Sequence, residues 1–353
     1  MKALLLLLTL FSPMVAAWCP LLPNHPVRVT INHAEQKRQA DAYIRTLAVD
    51  ALRLQLVAAD TGYDLSGLDL SAAGIQGAIQ ARPLAEDANL DGAADHFWLV
   101  TSTGEVWRVP WQQSQFGQPL LMADLSDARL HFHTAVTLIR ARLPSQLAPM
   151  SWRNLEQHQL LLLGTEPDSG QDVLFSLRFP VAGRQPYVMK SSQLVDRTTL
   201  SDAELRQQYS AADWRVLLSA AGWRLRLSGR VSSLPTVIAG VIYAPAITVK
   251  DAKSCQFDKT EQQLYAVQLY TASQIYPKRS WAIPYLEQAA LRIREQPDKR
   301  LILVLADERQ SVALVDTLLK ITTDCHQCTA PLTLGKFPLW QRLATYRDER
   351  GAF

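Results

Sequence analysis

After its first 17 residues, the sequence contains no apolar run long enough to cross a bilayer, which requires about 20 residues. The early apolar run covers residues 3–11, follows Lys2, and ends at a Ser-Pro pair. Small residues then lead up to Ala17. This is the pattern of a cleaved secretory signal, which we expect to be removed after Ala17. The sequence therefore predicts an exported protein of the periplasm or the outer cell surface.

The sequence also has little net charge, with 36 Lys and Arg against 33 Asp and Glu. No basic stripe stands out, and neutralising phosphates is the main source of affinity for nucleic acid. We therefore expect no nucleic-acid partner. A Ser/His/Asp set with a nucleophile elbow is likewise lacking, which argues against a hydrolase of that type.

Cysteines are few: Cys19, Cys255, Cys325 and Cys328. An even number in an exported chain indicates disulfides. The CxxC at 325–328 is compatible with a redox motif, half a zinc site or a small structural disulfide. A redox CxxC opens a helix, whereas Pro331 follows here, and no second ligand pair for zinc is nearby. We favour Cys325–Cys328 and Cys19–Cys255, one of three possible pairings.

Most of the chain consists of short alternating or β-branched apolar segments separated by turn residues. The pairs 96–100 with 105–109, and 160–163 with 173–179, have the spacing of hairpins. Further strands are predicted at 52–58, 223–227, 236–243, 263–269 and 301–305.

Helical signals are fewer. A weak amphipathic pattern covers 34–47, and a helix at 202–209 begins with Ser201 as N-cap. The strongest pattern covers 283–295 in the C-terminal region, while 311–321 is compatible with helix or strand. The sequence thus predicts a mainly β fold, a modified or partial β-propeller with a few helices. At about 40–45 residues per blade, the chain holds at most about seven blades.

One loop has the spacing of a calcium site. Residues 87–95 read DANLDGAAD, with oxygen-bearing side chains at alternate positions and Gly92 at the sharp turn. This matches the first nine positions of an EF-hand loop. Trp98 replaces the bidentate Glu at position twelve, so flanking strands are expected instead of an EF-hand. The alternative is an Asx-rich turn that binds nothing. The predicted Ca²⁺ ligands are Asp87, Asn89, Asp91, the Ala93 carbonyl and Asp95.

Two other features suggest different chemistry. His131 and His133 at i and i+2 share one face of a strand and are compatible with a metal site, although solvent-facing histidines are commoner. Propellers also form quinoprotein dehydrogenases, which bury a quinone against a Trp. Trp98 and Trp107 are better explained by packing between blades. A quinoprotein-like periplasmic oxidoreductase is the alternative function.

The calcium loop and its neighbours follow the order of motifs in a known family. The loop leads into a strand with Trp98, a turn at Gly104 and a strand with Trp107. Further matching segments lie at 54–62, 74–75, 83, 160–165, 222–227, 230–235, 241–243, 255 and 264–267. Together, residues 50–275 resemble the C-terminal domain of the type IV pilus tip-associated biogenesis factors, the PilY family, in a short form without the family's large N-terminal region.

The resemblance implies a modified β-propeller and a calcium-dependent, non-enzymatic role in pilus biogenesis, extension and retraction or surface attachment. It further implies a place at the pilus tip, with minor pilins or other tip components as partners and a host or surface ligand. We expect a signal peptide at 1–17 and a PilY-like propeller-type domain at 18–275. A C-terminal α/β extension or closing blade with the CxxC follows at 276–353.

Overall fold

The computed structural model describes residues 26–48, 51–142, 156–180, 187–206, 210, 212–213, 216–217, 220–298 and 300–320. Within these residues the chain forms five sheets, most of them antiparallel meanders of three to six strands. The predicted mainly β, propeller-like class is confirmed. Among the described segments, no helix combines the length and apolarity needed to span a membrane.

The strands follow the chain closely from sheet to sheet. Sheet 1 contains β1 (Val27–His33), β2 (Gln36–Ala48), β3 (Ala51–Ala58) and β4 (Asp64–Asp69). Sheet 2 contains β5 (Leu84–Glu86), β6 (His96–Val100), β7 (Glu105–Gln112), β8 (Gln115–Phe116), β9 (Leu120–Asp124) and β14 (Met189–Lys190). Sheet 3 contains β10 (His131–Phe132), β11 (Thr137–Arg142), β12 (Glu156–Thr165), β13 (Asp172–Pro180), β15 (Val195–Asp196) and β16 (Gly222–Arg226).

The remaining strands form the last two sheets. Sheet 4 contains β17 (Arg230–Val231), β18 (Thr236–Ile238), β19 (Val241–Asp251), β20 (Gln256–Gln268) and β21 (Ser280–Ile283). Sheet 5 contains β22 (Ala290–Glu295), β23 (Arg300–Ala306) and β24 (Ser311–Lys320). The segment 311–321, which was compatible with either structure, is thus a strand over its described part.

The helix predicted at 34–47 is wrong, because this segment is the turn and second strand of a hairpin. Ala34 and Glu35 have φ values of 49° and 63°. Positive φ at both central residues is the geometry of a tight β-turn whose twist matches the flanking strands. Ala40 and Ala42 are both 0% exposed and are separated by one residue, as expected for two neighbours on one face of a β-strand. The true apolar period is therefore two.

The C-terminal helix predicted at 283–295 is also wrong. β21 ends at Ile283, and β22 pairs with β23 in antiparallel register from Ala290 onward. The helical pattern required Leu286 and Ile293 on one buried face, but Ile293 is 48% exposed. Pairing with the buried strand β23 overrides the local propensity. The short helix α1 (Asp202–Leu205) has the predicted Ser201 cap, whose hydroxyl accepts the Glu204 amide.

Four of the five buried hydrophobic clusters in the described residues lie between consecutive sheets. Residues of β6 and β12 illustrate this, because Phe97 faces sheet 1 and Trp98 faces sheet 3, while Leu160 faces sheet 2 and Leu161 faces sheet 4. A further cluster joins sheets 4 and 5. Alternate side chains of one strand thus fill two different interfaces, the arrangement of neighbouring propeller blades.

Two short strands connect sheets 2 and 3 beyond simple packing. β14 follows β13 of sheet 3 but returns to pair in parallel with β9 of sheet 2. β15 then pairs in parallel with β16 of sheet 3. The domain boundary predicted at 275/276 stays a prediction, although β21 hydrogen-bonds to β20 across it and one hydrophobic cluster includes residues from both sides.

Candidate calcium loop

The loop 87–95 connects β5 to β6, so its predicted position between strands is confirmed. Its base is closed by the pairing of Glu86 with His96, and the Asp95 amide donates to the Glu86 carbonyl at 2.8 Å. The Ala94 amide donates to the Thr30 carbonyl at 2.8 Å, which attaches the end of the loop to β1. The two ends are therefore fixed by main-chain bonds.

Two carboxylates organise the backbone of the loop. Asp87 accepts the Asp91 amide at 3.1 Å and the Gly92 amide at 2.7 Å. Asp95 Oδ2 accepts the amides of Ala88 at 2.8 Å and Asn89 at 3.1 Å. Each carboxylate thus bonds to amides from the other half of the loop and holds its two halves together. Both carboxylates therefore face the interior of the loop.

Asn89 lies between two of the predicted ligands. Its Oδ1 accepts the Asp91 amide at 2.8 Å, while its Nδ2 donates to Asp91 Oδ2 at 3.3 Å and Asp95 Oδ1 at 3.2 Å. A donor group thus bridges carboxylates at a position that also suits a cation. The atoms predicted to bind the metal are all hard oxygens, so the residue types fit Ca²⁺.

The arrangement itself is closed around hydrogen bonds rather than open toward an ion. Within the described part of the chain, no three His, Cys, Asp or Glu side chains form a group that could hold a metal ion. Gly92 has a φ of 89°, the left-handed conformation that its place in the loop predicted. Leu90 also has positive φ, at 63°, and is 48% exposed, which the sequence pattern did not indicate.

Cationic and amide groups surround the outside of the loop. Lys37 Nζ of β2 donates to the Asp91 carbonyl, and Asn32 Nδ2 donates to Asp91 Oδ2 at 3.4 Å. Arg140 Nη1 of β11 donates to the Ala88 carbonyl at 3.3 Å. The Ala93 amide, followed by Asn32, holds the pKa of Asp91 below its usual value. The loop therefore attracts positive charge from two neighbouring sheets.

A buried carboxylate lies directly beneath the loop. Glu86 is 4% exposed and accepts Trp98 Nε1 at 2.8 Å. Its oxygens also lie 3.3 Å from Arg108 Nε and 3.2 Å from His158 Nε2. Burial, and then Arg108, lower the pKa of His96 to about 4, so His96 beside Glu86 is neutral at neutral pH. Sequence reasoning missed this cluster because its members come from four separate strands.

The predicted histidine pair does not form a metal site. His131 is exposed, whereas His133 is buried with its Nε2 2.9 Å from Arg230 Nη2. A guanidinium at this distance repels a second cation. The neighbouring Asp172, also buried, accepts Thr165 Oγ1 at 2.6 Å and the Val231 amide at 2.8 Å. These residues form a polar cluster within the sheets.

The predicted packing role of the tryptophans is confirmed. Trp98 is 1% exposed and lies against Phe179 with ring centroids 5.5 Å apart. Trp107 packs against the cluster between sheets 1 and 2, and its Nε1 donates to Glu105 at 3.2 Å.

Only one of the four cysteines lies among the described residues. Cys255 lies in the turn between β19 and β20 and is disulfide-bonded. Cys19, Cys325 and Cys328 lie outside the described residues, so the pairing stays a prediction. The same holds for the signal peptide.

Comparison with solved structures identifies the architecture. No model of a known family and no curated protein sequence matches the chain. The structure superposes on the Pseudomonas aeruginosa PilY1 C-terminal domain with a TM-score of 0.53 and 14% identity, covering 82% of this chain and 72% of that one. The fold is that of the PilY1 C-terminal domain. The resemblance expected from the motif order is thus confirmed for the fold.

A second solved structure aligns more loosely than the PilY1 domain. The WD40 domain of SCAP from fission yeast covers 84% of this chain and 55% of its own, with 10% identity and a TM-score of 0.32. That TM-score is too low to indicate a common fold. Within the PilY1-like fold of this chain, the loop 87–95 lies on sheet 2, the second sheet from the N-terminal end of the described chain.

Proposed function

We propose that this chain is a calcium-binding, non-enzymatic protein of the type IV pilus system. It acts in pilus biogenesis or at the tip, and modulates assembly, extension and retraction, or surface attachment. The observation that carries the proposal is a DxNxDGxxD loop, 87–95, between two strands of a PilY1-like fold. Export to the periplasm, pilus tip or outer surface follows, with minor pilins, other tip components and a surface ligand as partners.

Calcium would be held by the side chains of Asp87, Asn89, Asp91 and Asp95, with the carbonyl of Ala93. The ion would offset most of the negative charge of the three carboxylates that one short loop brings together. Asn89 must turn its amide nitrogen away from Asp91 and Asp95 for its oxygen to face an ion. An incomplete cage of this kind binds at about 10⁻⁴–10⁻³ M, the range of extracellular modules.

The burial of Trp98 supports the non-enzymatic part of the proposal. A quinoprotein site needs a tryptophan face available to a quinone. Trp98 is instead enclosed between sheets 2 and 3, with its indole nitrogen donating to Glu86.

The test compares calcium binding by the purified chain and its Asp91→Asn variant. We expect calcium to raise the Tm of the wild-type chain. At a free calcium concentration of ten times Kd, the free energy of unfolding should increase by about 1.4 kcal/mol. Asp91→Asn should abolish the rise and the heat of binding in calorimetric titration. Asp64→Asn is the matched control, because Asp64 is an exposed aspartate of β4 outside the loop.

In cells, Asp91→Asn should change piliation or twitching motility while Asp64→Asn does not. An equal calcium-dependent Tm shift in the wild-type chain and Asp91→Asn would contradict the calcium site. Normal piliation in a strain deleted for this gene would contradict the pilus role.

A further inference from the structure

We propose that Arg140 and His158 form a clamp that couples the calcium loop to sheet 3, so that calcium in the loop orders β11 and β12. The inference rests on the proposed calcium binding and concerns how the same site acts on the rest of the fold. It starts from the fact that β11 and β12 belong to a different sheet from the loop.

Arg140 and His158 are direct cross-strand partners in the antiparallel β11–β12 pair. Opposing side chains on one face of such a pair have Cβ atoms about 4.5–5.5 Å apart. Leu138 and Leu160, which lie two residues away on the same faces of β11 and β12, pack into the cluster between sheets 2 and 3. The pair therefore faces sheet 2, where the loop begins.

The two side chains contact the chain on either side of the first predicted ligand. His158 Nε2 lies 3.2 Å from Glu86 Oε1, and Arg140 Nη1 donates to the Ala88 carbonyl at 3.3 Å. Residues 86 and 88 flank Asp87. A cross-strand pair of sheet 3 thus contacts the start of the loop at two points, the Glu86 side chain and the Ala88 carbonyl.

The His158 arm of the clamp is rigid. Glu86 and His158 are 4% and 2% exposed, and Glu86 is also held by Trp98 and Arg108. A buried carboxylate is tolerated only when it is paired and hydrogen-bonded, so displacing Glu86 from this set of donors is costly. The base of the loop therefore cannot shift without shifting β12.

The Arg140 arm reaches the loop from an exposed position, and one of its contacts is to the Ala88 carbonyl of the loop. Turning Asn89 to admit an ion rearranges the segment that includes Ala88, whose amide is bonded to Asp95. The change reaches β11 through Arg140 and β12 through their pairing. Since β12 also pairs with β10 and β13, ordering it stabilises the centre of sheet 3.

The experiment is hydrogen exchange of the full chain with and without calcium, followed by mass spectrometry of peptides. In the wild-type chain, we expect calcium to slow exchange by about fivefold or more, in the loop and in β11–β12. In Arg140→Ala, the loop should keep this protection while β11 loses most of it. Arg292→Ala, which removes an exposed arginine of β22, should behave like the wild type.

His158→Gln provides a second variant that tests the buried arm, and it should also uncouple β12 from the loop. Loop protection with no change in β11–β12 of the wild-type chain would overturn the clamp while leaving calcium binding intact. Undiminished β11–β12 protection in both variants would overturn it as well. If the loop itself shows no protection and titration no heat, the calcium proposal fails, and the clamp with it.

Discussion

At the scale of single residues, the enclosed ionisable groups give the fold a defined acid sensitivity. Burial, and then Arg230, lower the pKa of His133 to about 3, well below the 6.5 of a free histidine. As pH falls below about 6.5, the unfolded chain takes up a proton that the folded chain does not. The contribution of neutral His133 is therefore complete above this pH and is lost progressively between about 6.5 and about 3.

Asp172 acts in the opposite sense within the same cluster. Burial raises its pKa to about 6, against the effect of Arg230. Its folded form takes up a proton before the unfolded form as pH falls from about 6 to about 4, which adds stability relative to neutral pH. Because the wild type and the histidine variants all contain Asp172, a difference in the pH dependence of their stability reports the titration of the histidine.

We predict that His133→Gln loses less stability than the wild type between about pH 7 and about pH 5, by at most about 2 kcal/mol. Urea unfolding at the two pH values gives the difference. His131→Gln is the control, because His131 is exposed, and it should follow the wild type. Identical pH dependence in His133→Gln and the wild type would show that this site does not contribute.

At the scale of elements, the β6–β7 turn depends on a glycine. Gly104 has a φ of 98°, and a Cβ at this position would lie 2.5 Å from Phe132 Cε2. We predict that Gly104→Ala destabilises the protein by about 2–4 kcal/mol, because backbone strain adds to overpacking. Gly74→Ala has a similar φ of 86° but open space around the new methyl group, and should cost less. Equal losses in urea unfolding would contradict a role for Phe132.

The strands were predictable because the alternation of apolar and polar residues is visible in the sequence. The two helix predictions that were wrong, at 34–47 and 283–295, show where this signal fails. In β2 the buried alanines are weak markers of period two. In β22 only Leu291 is buried in a strand of otherwise half-buried or exposed residues. Both strands are defined by pairing with a neighbour, which a local pattern does not reveal.

The candidate site was predictable in position but not in its surroundings. Asp87 to Asp95 lie within one short segment, so their spacing alone indicated the loop. Glu86 and His158 are 72 residues apart in sequence, and no local pattern brings them together. The closed hydrogen-bonded form of the loop was likewise absent from the pattern, because it depends on how Asn89 is turned.

At the scale of the whole molecule, the interfaces between sheets carry the stability. Phe175 of β13 is fully buried in the cluster that sheets 2 and 3 share. We predict that Phe175→Ala costs about 3–5 kcal/mol and lowers hydrogen-exchange protection in β6–β7 as much as in β12–β13. Leu303→Ala, between sheets 4 and 5, should affect β6–β7 less. Loss confined to sheet 3 would contradict shared unfolding.

The return of β14 to sheet 2 makes the molecule tolerant of a divided chain. If the polypeptide is divided between Pro180 and Met189, the first piece contains β9 and β13. The second piece contains β14, which pairs with β9, and β16, which pairs with β13. Two separate ladders then join the pieces, in addition to the apolar surface between them. The halves are therefore suited to being made as separate polypeptides and to reassembling through strand addition and apolar packing together.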